Sequence, residues 1–304
     1  MRLIAGATGL LGGEICRLLS GERKAVRALV RPTSSAGKQQ RLQEFGVELA
    51  FGDLKDRASL DAACRGVSTV ISTASSTLSR QDGDSIESVD HRGQLNLIDA
   101  AEAAHVEQFV LISFPATDIE FPLQSAKRAV EERLRHGRMS YTILQPTCFM
   151  EVWLDPALGF DVANARAQIY GSGGNKTSWI SAADVARFAV AALGNPHARN
   201  VTIKLGGPEA LSPLDVVRVS EEVTGRAMAV QHVPEAALRA QYAAATDPLQ
   251  RSFAGLMLYY ASGDAIDPAD ALKLLPATRL RSVHDHFLAM TSHERESGEL
   301  GKEP

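Results

Sequence analysis

The stretch LQSAKRAVEERL, residues 123–134, holds one lysine in a position to do chemistry. Wound as a helix at about 100° per residue, it gathers Leu123, Ala126, Val130 and Leu134 into an apolar stripe. Lys127 lies beside that stripe, whereas Arg128, Glu132 and Arg135 face the other way. A lysine held there could do acid–base work or polarise a bound group. The bland alternative is an i,i+4 pair with Glu131, worth a few tenths of a kcal/mol.

A second constellation opens the chain. In AGATGLLGG, Gly6, Gly9 and Gly12 are spaced GxxGxxG between a strand-like segment and a helical one. Glycine permits the tight turn and removes the Cβ that would hold the backbone away from a pyrophosphate. The helix start adds free N–H groups and the positive end of a dipole. Thr8, Leu10 and Leu11 complete the turn and join the glycines as candidates for holding a dinucleotide. At the end of the second strand, an NAD site usually presents Asp or Glu to the ribose 2′-hydroxyl. Here ALVRPTSS puts Arg31 in that place. A guanidinium suits a 2′-phosphate by charge and fork geometry. Thr33, Ser34 and Ser35 offer hydroxyl donors nearby, and Lys38 more charge. The expected cofactor is NADP(H) in preference to NAD(H); the alternative is that Arg31 is a solvated strand-end cation. Asp53 and Leu54, in GDL, end the third strand, and Asp53 either meets the adenine amino group or serves as a turn or N-cap residue. Thr73, Ala74 and Ser75 end the fourth strand and should run along the pyrophosphate–ribose edge.

QPTCFMEVW leaves a sixth strand towards the expected nicotinamide. Pro146 and Thr147 would bound its carboxamide end. Phe149, Met150 and Trp153 form an apolar wall against ring or substrate, or else ordinary core, and Tyr170 and Trp179 are further substrate-side candidates. Such a pocket favours a flat, weakly polar acceptor. Cys148 has neither a CxxC partner nor a neighbouring His in sequence, which argues against a nucleophile.

These residues need a scaffold, and the first half supplies its pattern. Strand-like segments at 2–7, 25–32, 47–53, 67–75, 106–114 and 140–146 alternate with helical ones at 11–20, 38–45, 57–66, 85–104 and around Lys127. The strands are short, β-branched and almost continuously apolar, which predicts an α/β fold: a doubly wound parallel sheet covered by helices on both faces. Residues 1–150 are read as a Rossmann domain. Residues 151–291 are read as a smaller, mostly helical α+β substrate lobe packed on it, with strands at 167–171 and 200–207 and helices at 181–194 and 212–225. Residues 292–304 are read as a flexible tail. A net charge of −4 argues against a nucleic-acid partner. No apolar run approaches the roughly 18 residues of a membrane span, so a cytoplasmic protein without membrane contact is expected. Three scattered cysteines give no disulfide or zinc pattern, and His284 and His286 are spaced wrongly to share a metal on a helix. No metal site is expected.

Taken in order, GATGLLG, ALVRP, GDL, SAKRAVEERLR, YTILQPTCFMEVW and WISAADVA resemble the NmrA-like, atypical short-chain dehydrogenase/reductases over about residues 1–290. That group includes isoflavone-reductase-like enzymes, quinone and triphenylmethane-dye reductases, and redox-sensing regulators that bind dinucleotide without turnover. The resemblance implies a general-base or substrate-polarising role for Lys127. It also exposes departures. The tyrosine that related enzymes carry four residues before the lysine is Leu123 here, and Ser113 in ISFPATD stands slightly early for their serine. The expected activity is NADPH-dependent hydride transfer to a quinone, enone or aromatic carbonyl. The rival is an NADP(H) sensor acting through a protein partner. A sugar-nucleotide epimerase is weaker, because its chemistry generally uses the missing tyrosine.

Overall fold

A computed structural model describes residues 1–78, 80–276 and 279–300. In chain order come β1 (Arg2–Ala5), α1 (Leu10–Gly21), β2 (Val26–Val30), α2 (Ala36–Glu44), β3 (Glu48–Phe51), α3 (Arg57–Ala63) and β4 (Thr69–Ser72). A wide π-type turn (Ile86–His91) leads into α4 (Arg92–Ala103), then β5 (Gln108–Ile112), α5 (Pro122–Arg135), β6 (Ser140–Pro146) and the one-turn α6 (Met150–Trp153). The second half holds β7 (Phe160–Asp161), β8 (Arg166–Tyr170), α7 (Ala182–Ala191), β9 (Val201–Leu205), α8 (Pro213–Thr224) and β10 (Ala229–Val233). It closes with α9 (Glu235–Ala244), α10 (Pro248–Ser262), α11 (Ala269–Leu274) and α12 (Val283–Leu300).

The main sheet has the order β3-β2-β1-β4-β5-β6-β9, with every neighbouring pair parallel. Successive strand residues face opposite layers. Ile4 joins the cluster beneath α1 and α7 with Ile15, Leu19 and Phe188, whereas Leu3 joins the one beneath α4 and α5 with Leu97 and Val130. Burial on both faces is why these strands read as nearly unbroken apolar runs. The chain steps outward from β1 through β2 to β3, then returns to β4 on the other side of β1. The crevice for ligands therefore opens beyond the carboxyl ends of β1 and β4.

The expected Rossmann-like α/β fold is observed. β9, from the second half, completes the main sheet beside β6, and α7 packs against α1. β8 pairs with β7 and β10 in a separate small sheet. β10 was not expected, because four of its five residues are exposed and show no alternation. The helix expected over 85–104 begins instead with the π-type turn, which places Asp90 and His91 out of α-helical register. The Ser181 and Ser212 N-caps stand as expected, each accepting from the backbone N–H three residues on. In the segment expected as a tail, α12 runs on to Leu300, and residues 301–304 lie outside the described residues. Among the described residues, no helix is long and apolar enough to cross a membrane.

Candidate functional site

The crevice is a cleft of about 380 Å³. Its floor is the glycine turn. Gly6 has φ +81°, and a Cβ there would lie 2.5 Å from Thr73 Oγ1 and 2.8 Å from the Ala74 nitrogen. The turn therefore touches the end of β4 so closely that only glycine fits. Gly9 is the N-cap of α1 and contributes no side-chain cap, and the first turn carries no acid. The first internal bond of α1 runs from Gly13 N–H to Gly9 O at 2.9 Å. The N–H groups of Leu10, Leu11 and Gly12 precede it, at the positive end of the helix. A bare cradle of this kind fits a diphosphate. Gly12 plays another part. It does not line the cleft, and a Cβ on it would fall 2.2 Å from Gly6 O, so it lets α1 sit against the turn.

Towards the ends of β2 and β3 the cleft is charged. Arg31, Asp53, Leu54, Thr73, Ala74 and Ser75 all line it, as expected. Ser34 does not, although it was expected to: its N–H bonds back to Arg31 O and its carbonyl accepts from Gln39. Thr33 is engaged with Gln81 and Lys38 is exposed. Asp53 accepts from the Lys55 backbone N–H at 2.8 Å, while Asp56 caps α3. Asp53 is thus a turn residue that also stands on the cleft wall. Asp84, which sequence reasoning missed, also lines this end. Its carboxylate lies 2.5 Å from Arg31 Nη1 and also meets Lys55 Nζ.

The other end is apolar around one cation. Lys127 lines the cleft while only 6% exposed, beside Leu123, Pro146 and Phe149. It does not pair with Glu131, whose carboxylate is held by Arg128, Arg135 and Gln145. Its Nζ instead sits 3.7 Å from Oδ1 of Asp90, a fully buried residue on the π-type turn. Asp90 Oδ2 accepts from the Ser76 N–H at 3.0 Å and from its hydroxyl at 2.6 Å, whereas Oδ1 has no hydrogen-bond partner. Asp90 is a residue that sequence reasoning missed. Arg128 does not face solvent as expected. It turns inward to donate to Ser113 Oγ at 3.0 Å and to Phe114 O at 2.6 Å. Ser113 lines the cleft and, accepting from Arg128, keeps its own proton to donate.

The apolar wall is only partly the expected one. Phe149 and Trp153 line the cleft, with Trp153 stacked on Tyr260 at 4.7 Å. Met150 is fully buried core. Trp179 is also core, its indole N–H donating to Leu211 O, and Tyr170, which does not line the cleft, donates to Leu158 O. α10 supplies the roof through Phe253, Leu256, Met257 and Tyr259. It is fixed to α5 by the Ser252 hydroxyl, which accepts the Leu123 N–H at 3.1 Å. Burial pushes the Cys148 thiol and the Tyr259 phenol well above their ordinary values, and Tyr259 also donates to Asp264. Neither is a ready nucleophile or acid.

The parallel sheet, the open glycine turn and a cleft at the strand reversal define a Rossmann-like α/β protein. The chain belongs to the NmrA-like family, whose profile matches residues 3–285. It is 32% identical over 228 residues to an NAD(P)H azoreductase of Xenophilus azovorans, covering 74% of each chain. It is 28% identical to the photosystem II assembly factor Ycf39 of Trieres chinensis, over 76% of this chain and 72% of that one. Among solved structures, an NADPH-dependent quinone oxidoreductase of Escherichia coli complexed with NADPH superposes with a TM-score of 0.77 at 22% identity. That match covers 96% of this chain and all of the other.

Proposed function

We propose that this chain is a reductase that binds NADP(H) in preference to NAD(H) and passes hydride to a flat, weakly polar acceptor such as a quinone, enone or azo or carbonyl compound. The observation that supports it most is the buried Lys127, set in an apolar pocket continuous with the bare glycine turn. The azoreductase and quinone oxidoreductase relatives point the same way. The diphosphate would rest on the N–H groups of Leu10 and Leu11, and Arg31 would face the 2′-phosphate. When bound, the nicotinamide supplies the hydride. Phe149, Trp153 and the α10 roof exclude water from the reacting face. Asp90, fixed by Ser76, orients Lys127, whose Nζ donates to the acceptor heteroatom as charge builds there. Ser113 offers a second proton at Oγ.

A second reading is a dinucleotide-sensing protein that acts through a protein partner. It is favoured by Leu123, which removes the proton donor of related enzymes, and by the likeness to an assembly factor. Fluorescence titration with NADPH and NADH, followed by NADPH oxidation against quinones, enones and azo dyes, separates the readings. Tight binding with turnover of at least one acceptor is expected. Tight binding with no turnover across the panel favours the sensor, and no binding of either dinucleotide removes both readings.

A further inference from the structure

The Arg31 guanidinium is not idle at the end of β2. Asp84 Oδ2 lies 2.5 Å from its Nη1 and also accepts the Gln81 N–H at 2.9 Å. Asp84 Oδ1 takes the Lys55 ammonium. Lys55 in turn stands 3.5 Å from Asp53 Oδ2. The Asp84 side chain is 1% exposed, and the Gln81–Thr33 contact ties its loop to the β2 end. Two cations and two carboxylates thus leave this end of the cleft with no formal net charge.

We propose that Asp84 determines cofactor specificity: its carboxylate is a built-in rival of the 2′-phosphate for Arg31, and its removal widens the preference for NADPH over NADH. The proposal rests on the dinucleotide reading above. A phosphate oxygen approaching Arg31 Nη1 meets a carboxylate oxygen already bonded there. Two anions at that separation repel strongly in a half-buried cleft. Asp84 must give way to Lys55 before the phosphate can seat. A 2′-hydroxyl has no such conflict and can donate to the same oxygen. Mild acid does not relieve the rivalry. Burial raises the Asp84 carboxyl, but the Lys55 and Gln81 hydrogen bonds and the Arg31 charge outweigh it and hold it below the ordinary carboxylate range. The charge therefore persists down through the ordinary carboxylate range, and substitution is the direct way to remove it.

The test compares wild type, Asp84→Asn and Asp84→Ser by fluorescence titration with NADPH and NADH. Calorimetry with 2′,5′-ADP and 5′-AMP reports on the adenosine end alone. Removing one unit of like charge is expected to tighten NADPH and 2′,5′-ADP by about tenfold, while NADH and 5′-AMP stay level or weaken a few-fold. Unchanged ratios, or weaker 2′,5′-ADP binding in folded variants, would overturn the proposal and make Asp84 an organiser of the two cations. If both variants misfold, a crystal structure of wild type with 2′,5′-ADP decides. Asp84 moved out of hydrogen-bond distance of Arg31 supports rivalry, and an intact pair beside a bound phosphate refutes it. Wild type that binds none of the four probes removes the dinucleotide reading itself, a failure distinct from unchanged ratios.

Discussion

The two ends of the cleft handle charge in opposite ways. At the β2–β3 end, Arg31, Lys55 and Asp53 keep a quarter to a third of their side-chain surface in water around the covered Asp84. At the α5 end, the side chains of Lys127 and Asp90 are 7% and 0% exposed, among apolar walls. Partly wet ions exchange partners at little cost, because water and mobile ions screen them. A buried pair has no substitute for its partner, so losing one member strands the other. The first end is built to choose between ligands, and the second to hold one charge at one place.

The sharpest way to break this contrast is Lys127→Met. It strands a buried carboxylate, so a loss of about 3–5 kcal/mol in stability is expected, together with about 100-fold lower turnover of any acceptor found. The double variant Lys127→Met/Asp90→Asn removes the stranded charge. Chemical denaturation should show most of the stability restored while turnover stays low. If the single variant is as stable as wild type and fully active, Lys127 is neither buried-paired nor catalytic.

Gly12→Ala ranks next and acts on both ends equally. Its Cβ would overlap Gly6 O at 2.2 Å, a backbone atom that cannot move aside cheaply. A loss of about 3 kcal/mol is expected, with NADPH and NADH weakened in parallel. Denaturant melts and paired titrations check this; weakening of one dinucleotide alone would show that the turn serves only one end.

Sequence and structure agree unevenly across these two ends. The glycine turn, the strands and Arg31 were legible because each depends on neighbours within one strand–turn–helix unit. The parallel, doubly wound sheet followed from alternation, but the place of β9 beside β6 did not: its segment reads as part of the second lobe. Asp84 was not legible, since it meets Arg31 across 53 residues of chain and nothing local marks it. Asp90 was hidden by register: a regular helix over 85–104 gives no sign of the π-type turn that carries it. Trp179 and Arg128 were misassigned for a common reason. A wheel or an aromatic in a polar stretch shows direction, but not that an indole N–H or a guanidinium finds backbone carbonyls inside.

Arg31→Ala sharpens the wet end. A charge-assisted contact to phosphate is lost, so about tenfold weaker NADPH binding is expected with NADH nearly unchanged. The same substitution frees Asp84 to pair with Lys55 alone, so stability should move by well under the Lys127→Met effect. Equal loss of both dinucleotides in a titration would show that Arg31 shapes the cleft rather than reading the 2′ position.

Ser34→Ala should do least. Its position three residues after Arg31 suggested a hydroxyl donor to the same phosphate. Its backbone is occupied instead, the N–H on Arg31 O at 2.9 Å and the carbonyl on Gln39 at 2.8 Å, and an alanine keeps both bonds. Since Ser34 does not line the cleft, NADPH affinity should stay within about twofold of wild type and stability within about 0.5 kcal/mol. A tenfold drop in NADPH binding with NADH spared would instead return Ser34 to the phosphate. It would mean that the β2–α2 loop closes on the ligand, and the wet end would then choose its ligand by moving backbone as well as by trading ions.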